Sequence, residues 1–156
     1  MHGLGDEFMY NFISKCEEDT KSFAYNLASK LDNGDLIILS GDLGSGKTKF
    51  TEGFLSYFGL EDEISSPTFT IVNEYNKNNI NIFHFDVYRL NSIDEFYAIG
   101  GQDYFSKGIC IIEWGEQILE ALPNNYIHIS FNRDFKNDNY RNLNITIHGN
   151  KYKNLF

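Results

Sequence analysis

Eight residues, Gly41-Asp42-Leu43-Gly44-Ser45-Gly46-Lys47-Thr48, carry the spacing G-x-x-x-x-G-K-T. They lie between the apolar run Leu36-Ile37-Ile38-Leu39 and the segment Lys49-Phe50-Thr51-Glu52-Gly53-Phe54-Leu55. A strand, a glycine-rich turn and a helix start, in that order, turn several backbone N–H groups into one concavity, because glycine takes dihedrals that a side chain forbids. Phosphate is the ligand that fits. The new helix directs its positive end at the anion, Lys47 can reach terminal phosphates as a point charge, and Thr48 can offer a hydroxyl to Mg²⁺. The pattern predicts a site for a nucleoside triphosphate.

A phosphate loop also needs groups that hold the metal and the attacking water across the triphosphate. Two acids at strand ends are candidates. Glu113 follows Ile109-Cys110-Ile111-Ile112, an uninterrupted apolar run typical of a strand buried on both faces. It has the form of a Walker B acid, able to bind Mg²⁺ directly or through water beside Thr48. Asp86 follows Ile82-Phe83-His84-Phe85 and could orient a water or complete the metal shell. Either carboxylate could instead cap a helix or join an ion pair. Ser66-Pro67-Thr68 has the features of a switch, with Pro67 stiffening the backbone and Thr68 able to sense a γ-phosphate; an ordinary turn into a strand is the alternative. His84 could orient a neighbour, assist proton transfer or simply be a hydrogen-bonded histidine. Arg89 suits a carboxylate or a phosphate equally. Trp114 suits core, nucleotide lid or partner contact, with a surface near the site preferred.

These groups need a scaffold, and 156 residues are enough for one domain with a real core. Fourteen Phe and ten Tyr predict a Phe-rich interior. A first amphipathic helix is expected, with capping-box spacing at Ser14-Lys15-Cys16-Glu17 and Phe23, Ala24, Leu27, Ala28 and Leu31 on one face. The helix after the phosphate loop stops at Gly59. A hairpin from Thr70 to Val87 turns at Asn76-Lys77-Asn78-Asn79, and its second strand projects His84 and Asp86 together. A short helix capped by Ser92 precedes the Ile109–Ile112 strand; a helix from Glu116 to Leu122 and strands Tyr126–Phe131 and Leu143–Ile147 follow. Residues 1–8 have the look of a non-native leader ahead of Met9, residues 9–149 form the domain, and the tail 150–156 is expected to be loose.

The formal charge of −9 argues against a broad nucleic-acid footprint, leaving room only for a local basic patch. Cys16 and Cys110 stand far apart without a metal-ligand pattern, so neither a disulfide framework nor a zinc site is expected. No stretch approaches the roughly 20 apolar residues of a membrane span, and a cytoplasmic setting fits.

The series Gly41-Asp42-Leu43-Gly44-x-Gly46-Lys47-Thr48, Ser66-Pro67-Thr68-Phe69, His84-Phe85-Asp86-x-Tyr88-Arg89-Leu90 and Ile112-Glu113-Trp114 resembles the TsaE (YjeE) family of bacterial ATPases over about residues 16–147. Two departures are Ser45, where alanine is usual, and Gly115, where proline often follows the tryptophan. The fold expected is α/β, a P-loop NTPase-like three-layer arrangement with a central mixed sheet flanked by helices. The resemblance implies an ATPase serving formation of N6-threonylcarbamoyladenosine at position 37 of tRNA. It would act on the TsaD–TsaB pair to reset it between turnovers, meeting tRNA only through that complex, with no role for DNA or membrane. It further implies ATP and Mg²⁺ as ligands, with Lys47 and residues Asp42, Leu43, Gly44, Ser45, Gly46 and Thr48 on the phosphates. Thr48 and Glu113 would sit on the metal, Asp86 would serve hydrolysis, and Thr68 and Trp114 would couple nucleotide state to the partner. Base contacts near the first helix and the late hairpin would fall to Glu17 and Arg141, whose guanidinium can stack on adenine. A small metabolite kinase and a nucleotide-gated binding module without hydrolysis are the competing readings.

Overall fold

A computed structural model describes residues 7–42, 44–64 and 71–156. Among the described residues, seven strands and three α-helices follow one another along the chain: β1 Glu7–Ser14, α1 Glu17–Ala28, β2 Leu36–Ser40, α2 Lys47–Tyr57, β3 Val72–Lys77, β4 Ile80–Asp86, α3 Ile93–Ala98, β5 Ile109–Glu113, β6 Tyr126–Arg133 and β7 Arg141–His148. The strands form one sheet in the order β1-β7-β6-β2-β5-β4-β3. Its middle strands β6, β2, β5 and β4 run parallel, while β7, β1 and β3 pair antiparallel to their neighbours. The sheet is therefore mixed, as the α/β reading requires.

β2 and β5 lie at the centre of this sheet, which is why both read as unbroken apolar runs. Ile37 and Leu39 of β2 face α1 and α2, where Ala24, Leu27, Phe50 and Phe54 close one core. Leu36 and Ile38 face the opposite side, where Phe85, Phe96 and Ile112 close a second. Helical segments pack on both faces of the sheet, and the parallel pairing of β2, β5 and β4 brings their C-terminal ends together. Among the described residues, no helix is long and apolar enough to cross a membrane.

α1 and α2 touch closely at Gly53, where an added Cβ would lie 2.3 Å from the Lys21 carbonyl oxygen. Glycine in a helix interior ordinarily costs about 1 kcal/mol against alanine. Here the sign reverses: Gly53→Ala is expected to destabilise the protein by about 1 to 2 kcal/mol net, because backbone cannot yield as a side chain can. Chemical denaturation of the two proteins checks this, and a stabilised variant would contradict the packing.

Several local expectations change. Residues 7–14 form a full strand, β1, paired with β7 from Glu7 opposite His148 to Ser14 opposite Arg141. Glu7 and Phe8, assigned to a leader, are its first two residues; residues 1–6 lie outside the described ones. The Ser14 hydroxyl does not cap α1 through a backbone N–H. It donates to the Cys16 carbonyl and lies 2.6 Å from Thr20 Oγ1, while Asp19 accepts from the Lys15 N–H. Ser92 likewise makes no side-chain cap on α3, and Glu95 accepts from the Asn91 N–H instead. The segment after Trp114 is a 3₁₀ turn over Gly115–Ala121. The tail is packed rather than loose. Tyr152 is buried and donates its hydroxyl to Asp35 at 2.8 Å, Lys151 reaches the same carboxylate at 2.7 Å, and Phe156 stacks on Phe23.

Candidate functional site

The loop between β2 and α2 contains three glycines in the positive-φ region, Gly41, Gly44 and Gly46, at 147°, 79° and 112°. The first is required twice over, because a Cβ at Gly41 would lie 2.8 Å from the Phe131 carbonyl oxygen and 2.7 Å from Ser45 Oγ. The Ser45 N–H bonds back to the Asp42 carbonyl, and Gly46 caps α2 so that Lys47 is its first residue. Sequence and conformation agree: among the described residues of the loop, every positive-φ position is a glycine.

Lys47 is buried, at 7% exposure, and its ammonium is the centre of the site. It donates to the Gly41 carbonyl at 2.6 Å, lies 3.7 Å from Glu113 Oε1, and sits 4.4 Å from the centre of the Trp114 ring. Glu113, at the end of β5, gives its other oxygen to His84 Nε2 at 2.6 Å. Burial would raise the Glu113 pKa, but the His84 bond and charge together with Lys47 outweigh it and hold the carboxyl below 4.5. The acid is therefore ionised at neutral pH. The Trp114 N–H donates to the Leu39 carbonyl, and the residue is left-handed at φ 67°, a conformation costing roughly 1 to 2 kcal/mol outside glycine.

Asp86 stands directly opposite Glu113 in the β4–β5 register. Its carboxylate accepts from the Tyr88 N–H at 3.2 Å and lies 3.7 Å from Arg89 Nε. Two residues back on the same face, His84 is buried beneath Glu113, with Nδ1 lacking a partner among the described residues. His84 thus stands as the hydrogen-bond partner of one acid and Arg89 beside the other.

These groups border a cleft of about 1080 Å³. Asp42, Gly44, Gly46, Lys47, Thr48, Asp86, Glu113, Trp114, Glu17 and Arg141 all line it. The structure thus gathers ten of the residues singled out from sequence into one concavity, while His84 and Arg89 stand behind its acids rather than on its lining. Ser45 is buried within the loop, and its Oγ has no partner among the described residues. Leu43, Ser66, Pro67 and Thr68 lie outside the described residues. Sequence reasoning missed Arg133. It is the cross-strand partner of Arg141, and both guanidinium groups reach the Gly44 carbonyl, at 3.3 and 3.4 Å. Only the β6–β7 register brings these two together.

The model of the family described as threonylcarbamoyl adenosine biosynthesis protein TsaE matches residues 14–143. The chain belongs to the TsaE family. Among TsaE relatives, the tRNA threonylcarbamoyladenosine biosynthesis protein TsaE of Bacillus subtilis is 40% identical, over 88% of this chain and 85% of its own. The TsaE protein of Treponema pallidum is 37% identical, over 76% of this chain and 87% of its own. The crystal structure of Bacillus subtilis YdiB superposes with a TM-score of 0.74 at 34% identity, covering 94% of this chain and 90% of that one.

Proposed function

We propose that this TsaE-family chain binds ATP with Mg²⁺ in the cleft and hydrolyses it, serving formation of N6-threonylcarbamoyladenosine at position 37 of tRNA by acting on the TsaD–TsaB pair to support repeated turnover. The observation that carries the reading is the meeting of Lys47, in a left-handed glycine loop, with the strand-end acid Glu113, which has Asp86 opposite it in register. The pathway rests on the names of the relatives. The charge of −9 supports a protein that meets tRNA through its partners rather than directly, and a cytoplasmic role accords with that process.

The residues divide the work by position. Backbone N–H groups of residues 42–48 and the start of α2 receive the phosphates, and Lys47 neutralises the terminal charge. Thr48 and Glu113 supply hard oxygen donors of the kind Mg²⁺ takes, a hydroxyl and an ionised carboxylate, and would hold it. The metal, when bound, neutralises charge developing on the phosphate oxygens. His84 keeps Glu113 oriented, and Asp86 positions and deprotonates the attacking water. Thr68 and Trp114 couple the state of the site to a partner, while Glu17 and Arg141 face the base.

Reconstitution tests the reading. Purified chain, TsaD, TsaB, threonylcarbamoyl-adenylate and tRNA are combined with and without ATP, and modified tRNA per TsaD is counted. Multiple turnovers that require both this chain and ATP are expected. Turnover indifferent to the chain would overturn the assignment, and a phosphorylated small metabolite among the products would point to a kinase.

A further inference from the structure

Behind the phosphate loop, three polar side chains from three elements meet. Ser40, the last residue of β2 and the one before Gly41, is buried. Its hydroxyl donates to Glu116 Oε2 and lies 2.7 Å from His128 Nε2 on β6. A serine has one proton to give, and Glu116 takes it, so His128 donates from Nε2. The set is not a hydrolytic triad. There the acid engages Nδ1 and the serine hands its proton to the imidazole; here the Glu116 carboxylate lies 3.8 Å from Nε2, on the serine's side of the ring, and receives the serine proton itself.

Placement indicates another role. Glu116 follows the left-handed Trp114 and Gly115, a residue with no side chain to fix it and no room for one, since an added Cβ would lie 2.6 Å from Ile38. The turn is tied to the end of β2 at two points: the Trp114 N–H to the Leu39 carbonyl, and the Glu116 carboxylate to the Ser40 hydroxyl. We infer that Ser40, Glu116 and His128 are positioning residues that hold the Trp114 turn in its left-handed form, and so hold the indole over the Lys47 ammonium at the mouth of the phosphate loop. Tyr88, 5.2 Å from the indole, completes that seat. The hold on Trp114 stands by itself; its bearing on phosphates rests on the nucleotide reading above.

Trp114 is the chain's one tryptophan, so its emission reports the turn directly. Acrylamide quenching and emission wavelength are measured without nucleotide for the native chain, Ser40→Ala, Glu116→Ala and Glu116→Gln. A charge-assisted hydrogen bond is worth about tenfold in an equilibrium constant, so the released population should rise about tenfold in Ser40→Ala and Glu116→Ala. Both should show faster quenching and emission at longer wavelength. Glu116→Gln keeps an oxygen that accepts from Ser40 and should stay close to native. Native quenching in folded Ser40→Ala and Glu116→Ala would overturn the inference, as would Glu116→Gln behaving like Glu116→Ala. If Glu116→Ala does not fold, as judged by circular dichroism, Ser40→Ala decides, because it removes a single hydroxyl. Titration with a non-hydrolysable ATP analogue is run alongside. Failure of the native chain to bind it would sink the nucleotide reading and leave the quenching result intact.

Discussion

Lys47→Ala is expected to lower ATP turnover by on the order of 10²-fold or more, the loss seen when a preorganised charge is removed from a water-excluded site. Lys47 is buried, and its ammonium has defined neighbours on three sides: the Gly41 carbonyl, Glu113 Oε1 and the Trp114 ring. Removing it deprives the phosphates of their cation and leaves Glu113 with His84 as its remaining hydrogen-bond partner among the described residues. Arginine should not rescue. A planar guanidinium is larger than an ammonium and cannot satisfy a carbonyl and an indole face in the same narrow space. Phosphate release with TsaD–TsaB present, together with nucleotide titration and circular dichroism, measures the effect. A folded Lys47→Ala protein with native turnover would contradict the site.

The part of this site built from contiguous sequence is legible without a structure. Gly41 to Thr48 states its conformation in its own glycines, and Glu113 is marked by the apolar run before it, because a central strand must be apolar on both faces. Alternation in β4 places His84 and Asp86 on one side, as their shared register with β5 bears out. What sequence cannot supply is contact between distant strands. Arg133 reads as the start of a polar loop until β6 and β7 are aligned and bring it, with Arg141, onto Gly44. Ser40, Glu116 and His128 are each unremarkable in sequence, 12 to 88 residues apart, and meet only because β6 lies beside β2. β1 carries an alternation of Phe8, Tyr10 and Phe12 with Met9, Asn11 and Ile13, and a leader boundary placed after Phe8 cuts across it.

Glu113→Gln and Asp86→Asn are each expected to lower turnover by on the order of 10²-fold, yet to differ in their Mg²⁺ dependence. Glu113 stands on β5, next to β2 and opposite Leu39 in register, on the strand adjoining the loop that carries Thr48. Asp86 stands on β4, one strand farther out, a step of roughly 4.8 Å. With His84 occupying Oε2, Glu113 offers Oε1 toward Lys47, a single oxygen suited to a metal shared with Thr48. Asp86, held by the Tyr88 N–H with Arg89 nearby, lines the same cleft, and on the proposed reading it acts on the attacking water. Glu113→Gln should therefore raise the Mg²⁺ concentration for half-maximal nucleotide binding by on the order of tenfold, and Asp86→Asn should leave it near native while still losing turnover. Mg²⁺ titrations of analogue binding, read independently of hydrolysis, separate the two. The reverse pattern would exchange the roles of the acids. Equal Mg²⁺ dependence in both variants would mean that the carboxylates act on the metal as a pair.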